Sequence, residues 1–262
     1  MSAAKTPTVA IIGCGNMGSA LAQRLTEKYT VFLYDHSLEK AKNLAKKTGS
    51  TPITSLKESL PKVQLIILAM KPKDLEKAVK ELKPHLSPAT AIGSILSGIN
   101  LAILNKHFGK RPIVRLMPNI AAAYGKSMTA LCADESLKEK ERGIFSTLAA
   151  QLGETCWISE EMMPGFMALA GSGPAFLFVM IESIVDAAIA MGFSSTTALP
   201  LVLQSVESAV EIIKQSKEHP GALKWKVCSP AGTTIAGIQA LEKHQLRHAI
   251  IQTYLDCFQK SH

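Results

Sequence analysis

A glycine-rich turn near the amino terminus constrains the fold more than any other feature of this 262-residue sequence. The segment VAIIGCGNMGSALAQRL runs from an apolar stretch through Gly13-x-Gly15-x-x-Gly18 into a helix-like pattern. In such a motif the first glycine allows a tight turn, the second lets the backbone approach a pyrophosphate, and the third permits close packing of helix on strand. The motif therefore predicts the start of a dinucleotide-binding unit. A ligand-free turn in a parallel sheet is the alternative.

Apolar runs and helix-like charged segments alternate through the first part of the chain. The further apolar runs are TVFLYD, QLIILAM, TAIGSIL and PIVRLM. Strands that alternate with helices of this length indicate parallel βαβ units. After ETCWIS the pattern changes to long helical segments. We expect these helices to be interrupted at Gly192, Pro200, Pro220 and Pro230. The sequence thus predicts a Rossmann-like α/β domain over residues 1–159 and an all-α domain over 160–262.

The net charge of +8 does not by itself indicate a nucleic-acid partner. Lysines are mixed with glutamate and apolar residues in segments such as EKAKNLAKK, a pattern typical of a solvated helix face. A positive field would also attract anionic cofactors and substrates. We therefore predict a small-molecule substrate and no nucleic-acid partner.

The cysteines and the apolar segments indicate a cytoplasmic protein. The five cysteines show neither CxxC nor paired spacing, so no disulfide framework or zinc site is predicted. The first residues show no signal-peptide cleavage pattern. The most apolar stretch, 174–192, carries Glu182 and Asp186 one helical turn apart, which disfavours a membrane span. His244 and His248 have no third ligand nearby, so no metal site is expected.

Cys14 lies inside the glycine motif, next to the predicted start of a helix. Because thiolates are favoured at helix amino termini, Cys14 could be a redox-sensitive thiol. The alternative is a small residue that simply fits the turn.

The second predicted strand ends at Asp35, seventeen residues after Gly18. A carboxylate at this place can accept both hydroxyl protons of an adenosine ribose, and it would repel a 2′-phosphate. This predicts NADH as the favoured cofactor, unless His36 and Lys40 accommodate the phosphate. The alternative interpretation of Asp35 is a turn-forming residue at a strand end.

A second small-residue turn, SPAGTT, precedes an apolar helix pattern near the carboxyl end. The first N–H groups of a helix have no intrahelical partner and bind anions. The turn at Gly232, Thr233 and Thr234 therefore suits a carboxylate. The alternative is an ordinary helix cap, with Ser229 at the N-cap and Pro230 as the first helical residue.

Five segments together resemble the pyrroline-5-carboxylate reductase family over essentially the whole chain. They are IIGCGNMGSAL, LAMKPKDL, VRLMPN, AGSGPAF and EHPGALKWKVCSPAGTTIAGIQALE. The resemblance implies a Rossmann domain followed by a helical domain that forms a homodimer, and rings of dimers also occur in the family. It implies an oxidoreductase that uses NAD(P)H to reduce a cyclic imine, 1-pyrroline-5-carboxylate, to L-proline in the last step of proline biosynthesis.

The resemblance also implies residue roles, position by position. The pyrophosphate would lie against Ile12, Gly13, Cys14, Gly15, Asn16 and Met17. The adenosine would lie by Asp35 and His36. The nicotinamide half would contact Met70, Lys71, Pro72 and Ser97. The substrate would be held by Gly232, Thr233 and Thr234, with Thr234 as the catalytic residue.

The sequence departs from the usual family pattern in three places. Pro164-Gly165-Phe166-Met167 stands where relatives commonly have Asp-Ala-Val-Thr. Ala231 stands where a glycine is usual, and Ala121 where a proline is usual. These changes alter the residues around the turn. We expect them to affect substrate range and turnover more than the class of reaction.

Two other functions compete with this interpretation. A related imine reductase or β-hydroxyacid dehydrogenase would share the same architecture. The dehydrogenases, however, rely on a lysine early in the helical domain, and the sequence has no lysine between Lys140 and Lys214. A noncatalytic dinucleotide-binding metabolite sensor would tolerate the altered segment, but it would have no need of the SPAGTT turn.

Overall fold

The computed structural model describes residues 6–261 and divides into two compact units, the first ending at Gly171 and the second beginning at Ser172. The first unit holds a β-sheet with helices, and the second contains helices only. This is the predicted order of a Rossmann-like α/β domain and an all-α domain. The two units divide after Gly171, later than the predicted boundary at residue 159. The reason is that Glu160–Gly171 forms hydrogen bonds with the sheet, as described below.

An eight-stranded sheet forms the frame of the first unit. The strands are β1 (Thr8–Ile12), β2 (Thr30–Tyr34), β3 (Thr51–Pro52), β4 (Leu65–Leu68), β5 (Ala91–Ser94), β6 (Ile113–Met117), β7 (Ser127–Cys132) and β8 (Gly153–Trp157). Their spatial order is β3-β2-β1-β4-β5-β6-β7-β8, and all pairs are parallel except β6 with β7. Strand β4, with sequence LIIL, is buried throughout, as expected for a parallel sheet covered on both faces.

Helices connect most of these strands, and one follows β8. They are α1 (Asn16–Leu25), α2 (Leu38–Thr48), α3 (Leu56–Ser59), α4 (Leu75–Leu82), α5 (Leu101–Phe108), α6 (Glu139–Ala149) and α7 (Met163–Phe166), the last followed by a π-helical turn, Met167–Gly171. Local sequence sets their ends. In α2, the Ser37 hydroxyl accepts the N–H of Lys40, and Gly49 in the left-handed conformation ends the helix.

Two apolar clusters, one on each face of the sheet, form the core of the first unit. Successive strand residues enter opposite clusters, so Ile66 belongs to one and Ile67 to the other. Phe145 from α6 fills the first cluster, and Phe108 from α5 fills the second. Both phenyl rings are almost completely buried, so this unit has a core of its own.

The second unit consists of five helices. They are α8 (Gly173–Ala190), α9 (Ser195–Ser216), α10 (Pro220–Lys226), α11 (Thr233–Lys243) and α12 (Leu246–Gln259). Gly192, Pro220 and Pro230 lie at or between helix ends as predicted, but Pro200 does not interrupt α9. Because proline lacks an N–H, Pro200 removes one intrahelical hydrogen bond, and α9 continues on both sides of it.

The helical unit buries few of its residues within this chain. Among the residues described here, those buried are Gly173, Ala198 and Val202. Large apolar side chains are instead exposed, including Phe178 (60%) and Trp225 (71%). Soluble proteins rarely leave contiguous apolar surfaces uncovered, so this unit needs cover that the single chain does not supply.

One helical run in residues 6–261 is long and apolar enough to cross a membrane, judged by length and composition alone. It spans Glu160–Ala190, with a mean hydropathy of 1.7 and 6% burial over its most apolar window. Glu182 and Asp186 lie in this run, and carboxylates are costly in a bilayer. An apolar helix that packs against a second protein chain has the same properties.

Candidate functional site

The glycine loop after β1 has the geometry that its motif predicts. Gly13 has φ +111°, and a side chain there would collide with the backbone of Met70. A side chain at Gly18 would overlap the carbonyl of Gly13. A side chain at Gly15 would meet nothing within 4 Å. The three glycines therefore provide the turn, the close packing and the open approach that a pyrophosphate requires.

Helix α1 begins directly after this loop without a side-chain cap. Its N-cap is Gly15, in an extended conformation (φ −79°, ψ −167°), and its first turn contains no acidic residue. The N–H groups of Asn16 and Met17 therefore lack both an intrahelical partner and a cap. Because the positive end of the helix dipole lies at the same place, the residues fit an anionic pyrophosphate.

The loops that follow β4 and β5 lie at the same edge of the sheet as the glycine loop. Met70 follows β4, Lys71 precedes a 3-10 turn at Pro72–Asp74, and Ser97 lies in the loop after β5. Strand β1 pairs with β2 on one side and β4 on the other, which makes this edge a topological switch point, where open α/β sheets bind ligands. Each residue predicted for the nicotinamide half thus comes from a loop at the carboxyl ends of the strands.

Asp35 connects two loops at the end of β2. Its Oδ2 accepts the N–H of Cys14 at 2.9 Å, and its Oδ1 accepts the N–H of Ser37 at 3.0 Å. The Nδ1 of His36 lies 3.1 Å from the same Oδ1. The Asp35 side chain is 9% exposed and that of His36 is 76% exposed. A carboxylate oxygen has a second lone pair, so Asp35 can fix the loops and still accept a ribose hydroxyl.

The surroundings of Cys14 do not favour a reactive thiolate. Burial and the nearby Asp35 carboxylate raise the pKa of the Cys14 thiol from 9.0 to about 12, and Lys40 offsets this only in part. Although Cys14 lies next to the α1 amino terminus, desolvation outweighs the helix dipole. The structure therefore favours a small, protonated residue that fits the turn over a redox-sensitive thiol.

The segment Glu160–Gly171 is bonded to the sheet unit through side chains that sequence reasoning did not assign. The Glu160 carboxylate accepts a hydrogen bond from the Arg115 guanidinium at 2.6 Å and another from the N–H of Leu101 at 2.8 Å. The Asn119 amide donates to the carbonyl of Ala170 at 2.7 Å. Arg115 and Asn119 both belong to VRLMPN, so the motif itself was the available signal.

One altered residue of this segment, Met167, contacts the loop after β5. The Ser97 hydroxyl donates to the Met167 sulfur at 3.5 Å. Met167 begins the π-helical turn, and a side chain at Gly171 would press against its Cγ. The methionine that departs from the family pattern therefore contacts a residue predicted to face the nicotinamide.

In the second unit, the SPAGTT turn does not form the ordinary cap that was the alternative. Helix α11 begins at Thr233 with Gly232 as its N-cap, so Ser229 and Pro230 lie outside the helix. The N–H of Gly232 donates to the carbonyl of Ser229 at 3.1 Å, so it is not among the free donors that the sequence predicted for a carboxylate. A side chain at Gly232 would overlap the Ser229 hydroxyl. Ala231, the other departure, has φ +56°, which is unusual for a residue with a Cβ.

Thr233 and Thr234 are the first two residues of α11, and no side-chain bond caps that helix. Gly232 has nearly the same backbone angles as Gly15 (φ −79°, ψ 174°). Among the helices of residues 6–261, only α1 and α11 begin after a glycine N-cap. Each unit thus has one glycine-capped helix start whose first N–H groups have no side-chain cap, as an anion site requires.

His244 and His248 do not share a helix face. Helix α11 ends at Lys243, and Gln245, in the left-handed conformation, separates it from α12. Within the described part of the chain, no group of three or more His, Cys, Asp or Glu residues could hold a metal ion.

Two protein-family models match the sequence. One, for pyrroline-5-carboxylate reductase dimerisation, matches residues 160–262. The other, described as NADP oxidoreductase, coenzyme F420-dependent, matches residues 8–98. The two matches correspond to the helical region and to the glycine-loop part of the sheet.

Curated relatives and solved structures match almost the full length. The chain is 34% identical to pyrroline-5-carboxylate reductase of Aquifex aeolicus, over 94% of this chain and 93% of the relative. It is 31% identical to that of Escherichia coli, over 97% and 96%. The crystal structure of Plasmodium falciparum pyrroline carboxylate reductase with NADP bound has 28% identity and a TM-score of 0.87, covering 98% of this chain and 97% of that chain. By sequence and fold together, this chain belongs to the pyrroline-5-carboxylate reductase family.

Proposed function

We propose that the chain reduces 1-pyrroline-5-carboxylate to L-proline with a hydride from NAD(P)H, the last step of proline biosynthesis. The observation that carries this proposal is the pair of glycine-capped helix starts, one suited to a pyrophosphate and the other to a carboxylate. The curated relatives that match over nearly their whole length are named for this activity.

Reduction of a C=N bond needs a hydride donor, a fixed electrophile and a proton on nitrogen. The nicotinamide cofactor supplies the hydride. The carbon of the C=N bond accepts it, and the π electrons move to the nitrogen. If the imine enters protonated, the product is the amine and no strong acid is required. The chain then contributes position and electrostatics.

Thr234 is the residue to which we assign the catalytic contact. The N–H groups of Thr233 and Thr234 hold the substrate carboxylate, because they lack helical partners. The Thr234 hydroxyl bonds the ring nitrogen, since it can accept from an iminium N–H and donate to an amine lone pair. Gly232 keeps the turn free of a side chain beside the substrate.

The cofactor would be held by the residues assigned from the sequence. The pyrophosphate would lie on the loop from Ile12 to Met17, and the nicotinamide half would contact Met70, Lys71, Pro72 and Ser97. We propose that NADH is preferred over NADPH, because the fixed charge of Asp35 repels a 2′-phosphate. His36 and Lys40 oppose this effect. The ratio of kcat/KM for the two cofactors decides between these effects, and a clear preference for NADPH would show that His36 and Lys40 dominate.

We further propose that the cofactor-binding domain ends at residue 159 and that residues 160–262 form a homodimer. We also propose that these dimers assemble into a ring and that the protein acts in the cytoplasm. The uncovered apolar side chains and the match to a dimerisation model at 160–262 support the dimer. Light scattering on the purified protein measures the mass and so separates dimer from ring.

The decisive test combines turnover with two substitutions. The purified protein should oxidise NADH when 1-pyrroline-5-carboxylate is added, and the product should be proline. Thr234→Val keeps the shape without the hydroxyl, so it should lower kcat/KM by about tenfold to a hundredfold, as should Thr234→Ala. Cofactor affinity should stay unchanged in both. Saturable cofactor binding without turnover would indicate the metabolite sensor, and an unaffected valine variant would remove Thr234 from the mechanism.

A further inference from the structure

A small cavity extends from the glycine loop past the end of β2 to helix α4. Its volume is about 140 Å³, and its lining includes Gly13, Asp35, His36, Ala78 and Glu81. Pockets for drug-sized ligands measure about 300–1,000 Å³, so this one has room for a single ring system. With the pyrophosphate at Gly13 and the ribose at Asp35, the next group along the dinucleotide is the adenine base. The inference therefore rests on the cofactor site proposed above.

Glu81 lines this cavity and has one oxygen already engaged. The Tyr34 hydroxyl donates to its Oε2 at 2.8 Å. Burial and the Glu81 and Asp35 carboxylates raise the pKa of Tyr34 to about 12, so the phenol remains a donor. No described residue donates to the other oxygen, Oε1. The pair thus presents an acceptor held in place by a neighbouring side chain.

The purines differ at the atom that such an acceptor would contact. Adenine carries an exocyclic amine, which donates a hydrogen bond, whereas unsubstituted purine carries only a hydrogen atom at the same carbon. A site built to accept a hydrogen bond disfavours an analogue that lacks the donor, because its acceptor then loses that bond. We propose that Glu81, oriented by Tyr34, accepts the adenine amine and makes this chain selective for adenine dinucleotides.

The test compares NADH with reduced nicotinamide purine dinucleotide, which differs only in lacking the exocyclic amine. Nicotinamide fluorescence gives the dissociation constant of each without turnover. The unmodified protein should bind NADH about tenfold more tightly. Glu81→Ala should bring the ratio of the two constants close to one. Glu76→Ala removes the same charge from an exposed position on α4 that does not line the cavity, and it should leave the ratio unchanged.

Tyr34→Phe provides a second variant in case Glu81→Ala fails to fold. Without the phenol hydroxyl, Glu81 loses its orienting partner, so the ratio should fall to an intermediate value. A ratio near one in the unmodified protein, or a tenfold ratio that persists in both variants, would overturn the proposal. Failure of the proposed function has a different signature: tight, adenine-selective binding of NADH without oxidation by 1-pyrroline-5-carboxylate.

Discussion

The sheet unit and the helical unit bury their apolar residues to very different degrees. In the sheet unit, side chains such as Phe108 and Phe145 are almost completely buried within one chain. In the helical unit, α8 is apolar around most of its circumference, yet Gly173 is its one buried residue. The first unit therefore folds around its own core, whereas the second is completed by oligomerisation, in agreement with the dimerisation model that matches residues 160–262.

The largest expected effect comes from placing a charge on the uncovered surface of the helical unit. Phe178 is 60% exposed in the single chain, and a partner subunit that covers it would bury the new carboxylate of Phe178→Glu. Burial of an unpaired charge is costly, so the variant should be monomeric and should lose at least about tenfold in activity. Light scattering and steady-state kinetics measure the two effects.

Ile144→Glu is the matched control, because Ile144 lies on α6 of the sheet unit and is 46% exposed. This variant should keep both mass and activity, since its carboxylate stays in water. If the two variants behaved alike, the contrast between the units would be wrong.

The next effect separates two glycines of the same loop. Gly15→Ala meets no atom within 4 Å and needs no unusual φ, so the fold should be unchanged while cofactor affinity falls by about tenfold or more, because the methyl group blocks the approach to the pyrophosphate. Gly18→Ala overlaps the Gly13 carbonyl and should cost about 1–3 kcal/mol of stability. Thermal unfolding and NADH titration measure both. A ligand-free turn would show no loss of affinity in Gly15→Ala.

A smaller effect, confined to the sheet unit, is a loss of stability at high pH. The pKa of Cys14 is about 12 in the folded chain, against an ordinary value of 9.0. A raised folded pKa means that its contribution to stability is complete below about pH 9 and is lost as the pH rises towards 12. Cys14→Ala should make the decline in unfolding free energy over that range less steep. Denaturant titrations at several pH values measure this free energy. If it fell equally steeply with pH in both proteins, the decline could not be assigned to Cys14.

The smallest effect is expected at the turn of the helical unit. Ala231 has φ +56°, a conformation that costs a residue with a Cβ about 1 kcal/mol. Ala231→Gly should relieve this strain, although the freer unfolded chain offsets part of the gain. We expect a melting temperature that rises by no more than a few degrees. A lower melting temperature would show that the alanine methyl group makes favourable contacts in the assembly.

Sequence patterns were informative where local chemistry decides the structure. The spacing of Gly13, Gly15 and Gly18 predicted a strand, a turn and a helix, because Gly13 has a positive φ and Gly18 packs directly on the Gly13 carbonyl. Strands β3, β7 and β8 were not predicted: β3 spans two residues, β7 is antiparallel to β6 and breaks the alternation of strand and helix, and β8 pairs with β7. The cap at α11 was ambiguous, since Ser229-Pro230 and Gly232-Thr233 are both acceptable helix starts.

Contacts distant in sequence were beyond the reach of pattern reasoning. Tyr34 and Glu81 are 47 residues apart, and Asn119 and Ala170 are 51 apart. Nothing in the spacing of either pair marks them as neighbours, because their contact depends on how whole elements pack. The motifs therefore identified residues in loops and at helix starts. The side chains that orient those loops could be identified only from the three-dimensional structure.

The Glu160 carboxylate described above serves two donors of different kinds, a guanidinium and a backbone amide. In an ordinary ion pair, the acidic and the basic residue can exchange positions during evolution without loss of the pair. Here a swap of Arg115 and Glu160 would restore the charge pair but would direct a cation at the amino terminus of α5, whose amide and dipole cannot be reversed. The polarity of α5 thus determines which member of the Arg115–Glu160 pair must be the acid, and the reversed pair is not an acceptable substitution.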